Sequence, residues 1–299
     1  MAMRRVTVRV PGSCGELIQG IYRDAPCLVS CPVDLYTRAR VEERPADHFL
    51  PDKAVRIMDC FFERYGLPRE EKHRINIALS SEIPTGKGMA SSTADLVAVA
   101  TGLAAYYDLR VTPSDIAELC VAIEPTDNIM FQDLNLFNYI KGGVIRDFRR
   151  AMSAKILAVD FGGSVATVGF RGQRYVYDAV DRAAFAQIVA DFETGLAAAD
   201  LHQMGAACTE SARLNQKVLF KPYLETMIAL SRRYGGCGVA IGHSGTVVGV
   251  IYDAADFDYR GFMTAWINRV PQKDYEGIYL KNMIPGGYRI EQTGDALYL

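Results

Sequence analysis

The segment Ser91 to Tyr107 constrains this chain most. Its spacing predicts a helix in which Asp95 is the lone charge, and a helix apolar nearly all round must be covered on most of its sides. Its longest apolar run, Ala94 to Leu103, is interrupted by Asp95 and Thr101 and falls short of the roughly 20 residues that a membrane crossing needs. The helix therefore belongs inside a globular core. The chain has the material for one: of 299 residues, 49% are hydrophobic and 23% charged. With 33 Lys+Arg against 35 Asp+Glu the net charge is −2, which leaves no nucleic-acid or acidic-membrane footprint. Met1-Ala2-Met3-Arg4-Arg5 runs into the alternating Val6-Thr7-Val8-Arg9-Val10, a strand pattern rather than a secretion signal, so a cytoplasmic location is expected.

Around that helix the patterning predicts an α+β protein. Strands are expected at Arg5–Val10, Cys27–Cys31 and Tyr36–Glu42, with a Gly-rich turn over Pro11–Gly15. Lys53–Tyr65 has helical spacing, His73–Ser80 has period 2, and Pro113–Ile123 is a helix with Thr112 as its N-cap. Gly142-Gly143 and the charged stretch Arg146–Arg150 suggest a boundary, giving units 1–150 and 151–299. The second unit is expected to carry helices at about Asp181–Ala198, Asp200–Asn215, Lys221–Tyr234 and Asp256–Arg269. Its strands are expected at Ala154–Val159, Gly238–Ile241, Thr246–Tyr252, Gly277–Leu280 and Tyr288–Glu291. Seven scattered cysteines without a Cys-x-x-Cys pair argue against a disulfide framework, and four scattered histidines argue against a zinc site.

Chemistry is most legible just before the apolar helix, in Ser81-Glu82-Ile83-Pro84-Thr85-Gly86-Lys87-Gly88-Met89-Ala90-Ser91-Ser92-Thr93-Ala94. Glycines let a backbone come close to a ligand, and two serines open a helix whose unpaired N–H groups and positive dipole end attract an anion. The string differs from the Walker sequence, because Lys87 stands between the glycines and no Ser or Thr follows it. An ordinary strand-to-helix turn would use the same residues.

Pro84-Thr85-Gly86-Lys87-Gly88-Met89-Ala90-Ser91-Ser92-Thr93 resembles, position by position, the phosphate loop of the GHMP kinase superfamily. Two further motifs stand where that superfamily has them: Val10-Pro11-Gly12-Ser13-Cys14-Gly15-Glu16-Leu17-Ile18-Gln19-Gly20, and Gly235 to Thr246. The first, with Ser30-Cys31-Pro32-Val33-Asp34, is similar to the L-threonine kinases of cobalamin biosynthesis within the superfamily. The resemblance implies an N-terminal ribosomal-protein-like α+β domain and a C-terminal ferredoxin-like α+β sandwich, with the site in the cleft between them. It also implies ATP and Mg²⁺ as cofactors and phosphoryl transfer to an alcohol, with L-threonine the preferred acceptor. Homoserine, serine, a sugar or a mevalonate-like alcohol, and a non-catalytic nucleotide sensor, are the alternatives.

By that resemblance residues 84–93 hold the nucleotide, and Glu124 with Ser92 holds Mg²⁺, which needs only one or two carboxylates beside phosphate oxygens. Asp127 or Asp133 would accept or orient the acceptor's hydroxyl proton, and Asp127 is preferred because it lies in Glu124-Pro125-Thr126-Asp127. Ser13 replaces the lysine or arginine that mevalonate-kinase-like members carry after the early Pro-Gly, which removes a cation and, as in homoserine kinases, would set a small polar residue against an amino-acid substrate. Glu16 and Asp34, carboxylates beside Gly-rich backbone, would pair with a substrate ammonium, and Gly242 would let the third motif approach the substrate. Cys237 and His243 lack the orienting third group that a nucleophile pair needs.

Overall fold

A computed structural model describes residues 3–46, 50–163 and 177–296. Two long strands, β1 (Met3–Tyr22) and β2 (Ala25–Glu43), form its spine, joined by a tight turn in which Arg23 and Asp24 both take positive φ. Over its first half β2 is buried almost continuously. From Leu35 onward burial alternates, so there one face meets the core and the other meets solvent. The expected turn over Pro11–Gly15 is instead part of β1. Register shifts at Pro11/Gly12, Ser13/Glu16 and Glu16/Ile18 absorb the proline and glycines as bulges, so the strand bends without reversing.

The sheet continues with β3 (Ile75–Ser81), β4 (Asn135–Asn138), β5 (Gly143–Asp147), β6 (Lys155–Asp160), β7 (Gly238–Ile241), β8 (Val247–Tyr252), β9 (Gly277–Asn282) and β10 (Arg289–Ala296). These ten strands make one sheet in the order β5-β4-β2-β1-β7-β8-β6-β9, with β3 beside β2 and β10 beside β1, and every pairing is antiparallel. Neither β4 nor β5 is predicted from the sequence. The first has four residues, and the second is exposed along nearly its whole length, so neither carries an alternating signal.

Seven helices are described: α1 (Asp52–Arg64), α2 (Ser91–Tyr106), α3 (Pro113–Ile123), α4 (Ala179–Ala198), α5 (Leu201–Asn215), α6 (Leu224–Arg233) and α7 (Tyr259–Arg269). The apolar helix is α2, which packs on β1, β2, α1 and α3 and is therefore enclosed as expected. A Cβ on Gly102 would come within 3.0 Å of Val41, so the glycine sets how closely α2 lies on the sheet. Thr112 does cap α3: its hydroxyl accepts from Asp115 N–H at 3.2 Å while Asp115 accepts from Thr112 N–H at 2.8 Å. Helix α7 starts three residues later than expected because Asp258 caps it through Gly261 N–H at 2.9 Å. All seven cysteines are free. No helix among the described residues is long and apolar enough to cross a membrane.

Candidate active site

The segment between β3 and α2 becomes a loop because Gly86 and Gly88 take φ of 74° and 79°, a region closed to most side chains. Two backbone segments hold it. Ser13 N–H donates to Met89 O at 3.0 Å and Gly15 N–H to Gly88 O at 3.1 Å, while Thr246 N–H donates to Lys87 O at 3.0 Å. The first two donors lie in the bulged part of β1 and the third in the turn between β7 and β8. The three glycine motifs thus form one unit. A Cβ on Gly245 would lie 2.1 Å from Gly88 N, and one on Gly15 would lie 2.5 Å from the Ile241 carbonyl carbon.

Beside this unit lies a cleft of about 480 Å³, within the range of small-molecule sites. Its walls include Thr85, Gly86, Gly88, Met89 and Ala90, followed by Ser91, Ser92 and Thr93 in the first turn of α2, whose amides have no partner within the helix. On the same wall Glu124, which closes α3, accepts a hydrogen bond from Ser92 Oγ on Oε1 and the Lys53 ammonium on Oε2 at 2.5 Å. Lys53 Nζ also reaches Ser92 Oγ at 3.2 Å. The next residues are pinned through backbone and side chain: Thr126 N–H donates to Tyr139 O at 2.9 Å, and the Asn128 side-chain Oδ1 accepts from Ser30 N–H at 2.9 Å.

That pinning brings Asp127 against Thr93, whose hydroxyl donates to Asp127 Oδ2 at 3.2 Å and accepts from Asp127 N–H at 3.3 Å. Glu16 of β1 is buried beside Asp127 on the same cleft, and its Oε2 has no hydrogen-bond partner among the described residues. Burial, reinforced by the charge of Asp127, pushes the Glu16 carboxyl well above the usual carboxylate range. Burial also raises Asp127, to about 6, although the Thr93 hydrogen bond opposes the rise. His243 stands on the same wall, its ring 4.7 Å from that of Tyr139. Gln19 Nε2 donates to Ile241 O at 3.2 Å, which leaves Gln19 Oε1 to accept from His243 Nδ1 at 2.6 Å. Burial lowers His243 to about 4, so the imidazole is neutral.

Of the residues singled out from the sequence, Glu16, Ser92, Glu124 and Asp127 converge here with 85, 86 and 88–93 of the loop. Pro84 and Lys87 do not line the cleft. Lys87 turns away from the cleft to the buried Asp160 at 3.0 Å and to Glu276 at 2.6 Å. Asp34 is not brought to the site either: its carboxylate accepts from Asn282 N–H at 2.8 Å and Nδ2 at 2.6 Å, tying β2 to β9. Ser13 is buried under the loop and Gly242 packs beside Gly88, both behind the lining rather than on it. Asp133 is exposed and outside the cleft. Cys237 lies 3.9 Å from His202, not beside His243. Lys53, Tyr139 and His243 were not singled out as site residues; an isolated lysine near a helix start carries no local signal.

The donor set of Ser92 and Glu124 fits a Mg²⁺ ion. It offers one buried carboxylate and one hydroxyl, and an ammonium already sits on both as a stand-in cation. Among the described residues no three of His, Cys, Asp and Glu are grouped so that they could hold a metal between them, so a metal here would take the rest of its shell from water and phosphate.

The model of the GHMP kinases N terminal domain matches residues 52–132, the stretch that holds α1, the glycine loop, α2 and α3. The chain is 31% identical over 263 residues to an L-threonine kinase of Citrobacter freundii, covering 85% of this chain and 89% of the relative. It is also 27% identical over 292 residues to an L-threonine kinase of Salmonella typhimurium (strain LT2), covering 94% of each. In fold it is similar to homoserine kinase from Cytophaga hutchinsonii, with a TM-score of 0.72, 14% identity, and coverage of 96% of this chain and 97% of the other. The chain belongs to the GHMP kinase family.

Proposed function

We propose that this chain transfers the γ-phosphoryl group of ATP to the side-chain hydroxyl of L-threonine, giving ADP and O-phospho-L-threonine for the linker of the cobalamin nucleotide loop. One observation carries the reading. The amino end of α2, the Ser92–Glu124 pair and the buried Asp127–Glu16 pair open into a single cleft. The acceptor is supported by the two relatives named L-threonine kinase, which match along most of the chain.

In this reading Thr85, Gly86 and Gly88–Thr93 receive the phosphates, and Ser92 with Glu124 holds Mg²⁺. The ion, when bound, neutralises charge building on the phosphate oxygens. The bond from the γ-phosphorus to the ADP oxygen breaks with its electron pair leaving on ADP, a bond to the threonine Oγ1 forms, and the hydroxyl proton passes to Asp127. Glu16 faces the acceptor's ammonium, whose positive charge favours the ionised carboxylate, so a proton held by Glu16 in the empty cleft leaves to solvent. Phosphoryl transfer depends mostly on alignment and charge neutralisation, which the backbone-pinned loop and the 124–128 segment are built to give.

The test is ADP release from Mg·ATP against L-threonine, D-threonine, L-serine, L-homoserine, galactose and mevalonate. Selective turnover of L-threonine, with phosphothreonine identified by mass, is the expected result. Preference for L-homoserine or another alcohol would refute the acceptor, and tight ATP binding without turnover on any of them would refute catalysis.

A further inference from the structure

Among the described residues the cleft lining sets three carboxylates, Glu16, Glu124 and Asp127, against one lysine or arginine, Lys53. A nucleoside triphosphate brings several more negative charges into that space. Lys87, inside the phosphate loop, does not offset them, because it is committed to Asp160 and Glu276. Lys53 meanwhile occupies the two side chains that suit a divalent ion, Glu124 and Ser92. An ammonium and a metal cannot share that place.

The position of Lys53 opposes the local preference of its helix. It is the second residue of α1, where the macrodipole disfavours a cation, and Pro51 ahead of it offers no side-chain cap. A residue placed against the local rule calls for a gain elsewhere. The two partners also differ in freedom. The Lys53 side chain is 37% exposed on a flexible stem, whereas Glu124 is 3% exposed and anchored by the end of α3.

We infer that Lys53 is a displaceable cation: it holds the Ser92–Glu124 pair while the cleft is empty and moves onto the triphosphate oxygens when Mg·ATP takes that pair. The inference rests on the phosphotransferase reading above and adds to it a positive charge inside the cleft. Lys53 then does two jobs with one ammonium. It keeps a buried carboxylate neutralised before substrate arrives, and it stabilises charge on the phosphoryl group during transfer.

The test compares the native chain with Lys53→Met and Lys53→Arg. Mn²⁺ is titrated into the nucleotide-free protein and followed by electron paramagnetic resonance. Binding of a non-hydrolysable ATP analogue with Mg²⁺ is followed by calorimetry, alongside steady-state turnover. Lys53→Met is expected to bind Mn²⁺ several-fold more tightly, because the competing ammonium is gone. It is expected to bind the analogue roughly 10–100-fold more weakly, the worth of one hydrogen bond to a charged group. Its kcat/KM is expected to fall by about 10²–10³-fold, and Lys53→Arg to recover part of the last two losses. Unchanged Mn²⁺ affinity, unchanged analogue affinity or native turnover in Lys53→Met would each overturn the inference. If Lys53→Met fails to fold, Lys53→Gln, which keeps a donor toward Glu124 without the charge, is held to the same outcomes. Should the native chain leave L-threonine untouched, the acceptor reading falls while the Mn²⁺ and analogue titrations still decide Lys53.

Discussion

Replacing Gly245 by alanine tests whether the glycine motifs act as one unit. A Cβ there would lie 2.1 Å from Gly88 N and 2.2 Å from Gly88 Cα and the Lys87 carbonyl carbon, all backbone atoms with no rotamer to relieve the clash. Ordinary carbon contacts need about 3.5 Å, so the turn after β7 and the phosphate loop must part by roughly 1.3 Å. The Thr246 and Val247 amides that donate to Lys87 O move with them. Overpacking of this kind costs about 1–3 kcal/mol of stability, and a displacement of ~1 Å at a reacting group costs about 10²-fold in rate. Gly245→Ala should therefore lose about 10²-fold in kcat/KM for Mg·ATP-dependent phosphorylation, with a modest drop in the urea midpoint. Gly242→Ala is the graded comparison: its Cβ would meet Gly245 and Gly88 at 3.4 Å, an ordinary contact, so its loss should stay below about tenfold. Native kcat/KM in Gly245→Ala, or an equal loss in both variants, would refute the reasoning.

Ser92→Ala and Glu124→Gln should each lower Mg·ATP-dependent turnover by at least about 10²-fold while far-UV circular dichroism stays native, and full activity in both would remove them from the metal site. Asp127, raised to about 6 by burial, keeps its proton at lower pH and then accepts none from a hydroxyl, so kcat/KM should fall as the pH drops through about 6. Asp127→Asn should abolish that acidic limb and lower the plateau by about 10²–10⁴-fold, and a limb that persists in the variant belongs to another group. Lys87→Ala should cost about 3 kcal/mol in urea denaturation, because it strips the ammonium from the buried Asp160. Loss of ATP affinity at native stability would instead mean that Lys87 reaches the phosphates.

Much of this protein was legible because its signals are local. The charge-poor run of α2 foretells enclosure whatever encloses it, and Thr112 with Asp115 satisfies the amides of α3 within four residues. The glycine–serine string before α2 carries the geometry of an anion cradle in its own backbone. Even where the reading of Pro11–Gly15 as a turn gave way to bulges, the proline and glycines marked a departure from regular strand.

Tertiary structure alone decided where charges find their partners. Glu16 and Asp34 look alike in sequence, yet the first is buried against Asp127 and the second is tied to Asn282 on a neighbouring strand. Lys87 lies inside the phosphate loop and points away from the cleft, while Lys53, in a different element, points in. The third motif is glycine-rich because its backbone touches another glycine-rich backbone, a contact between segments far apart in the chain. Periodicity and capping are set by neighbours a few residues away and can be read along the chain. The partner of a side-chain charge is set by which distant strand or helix the sheet order brings beside it, and that order exists only in the folded protein.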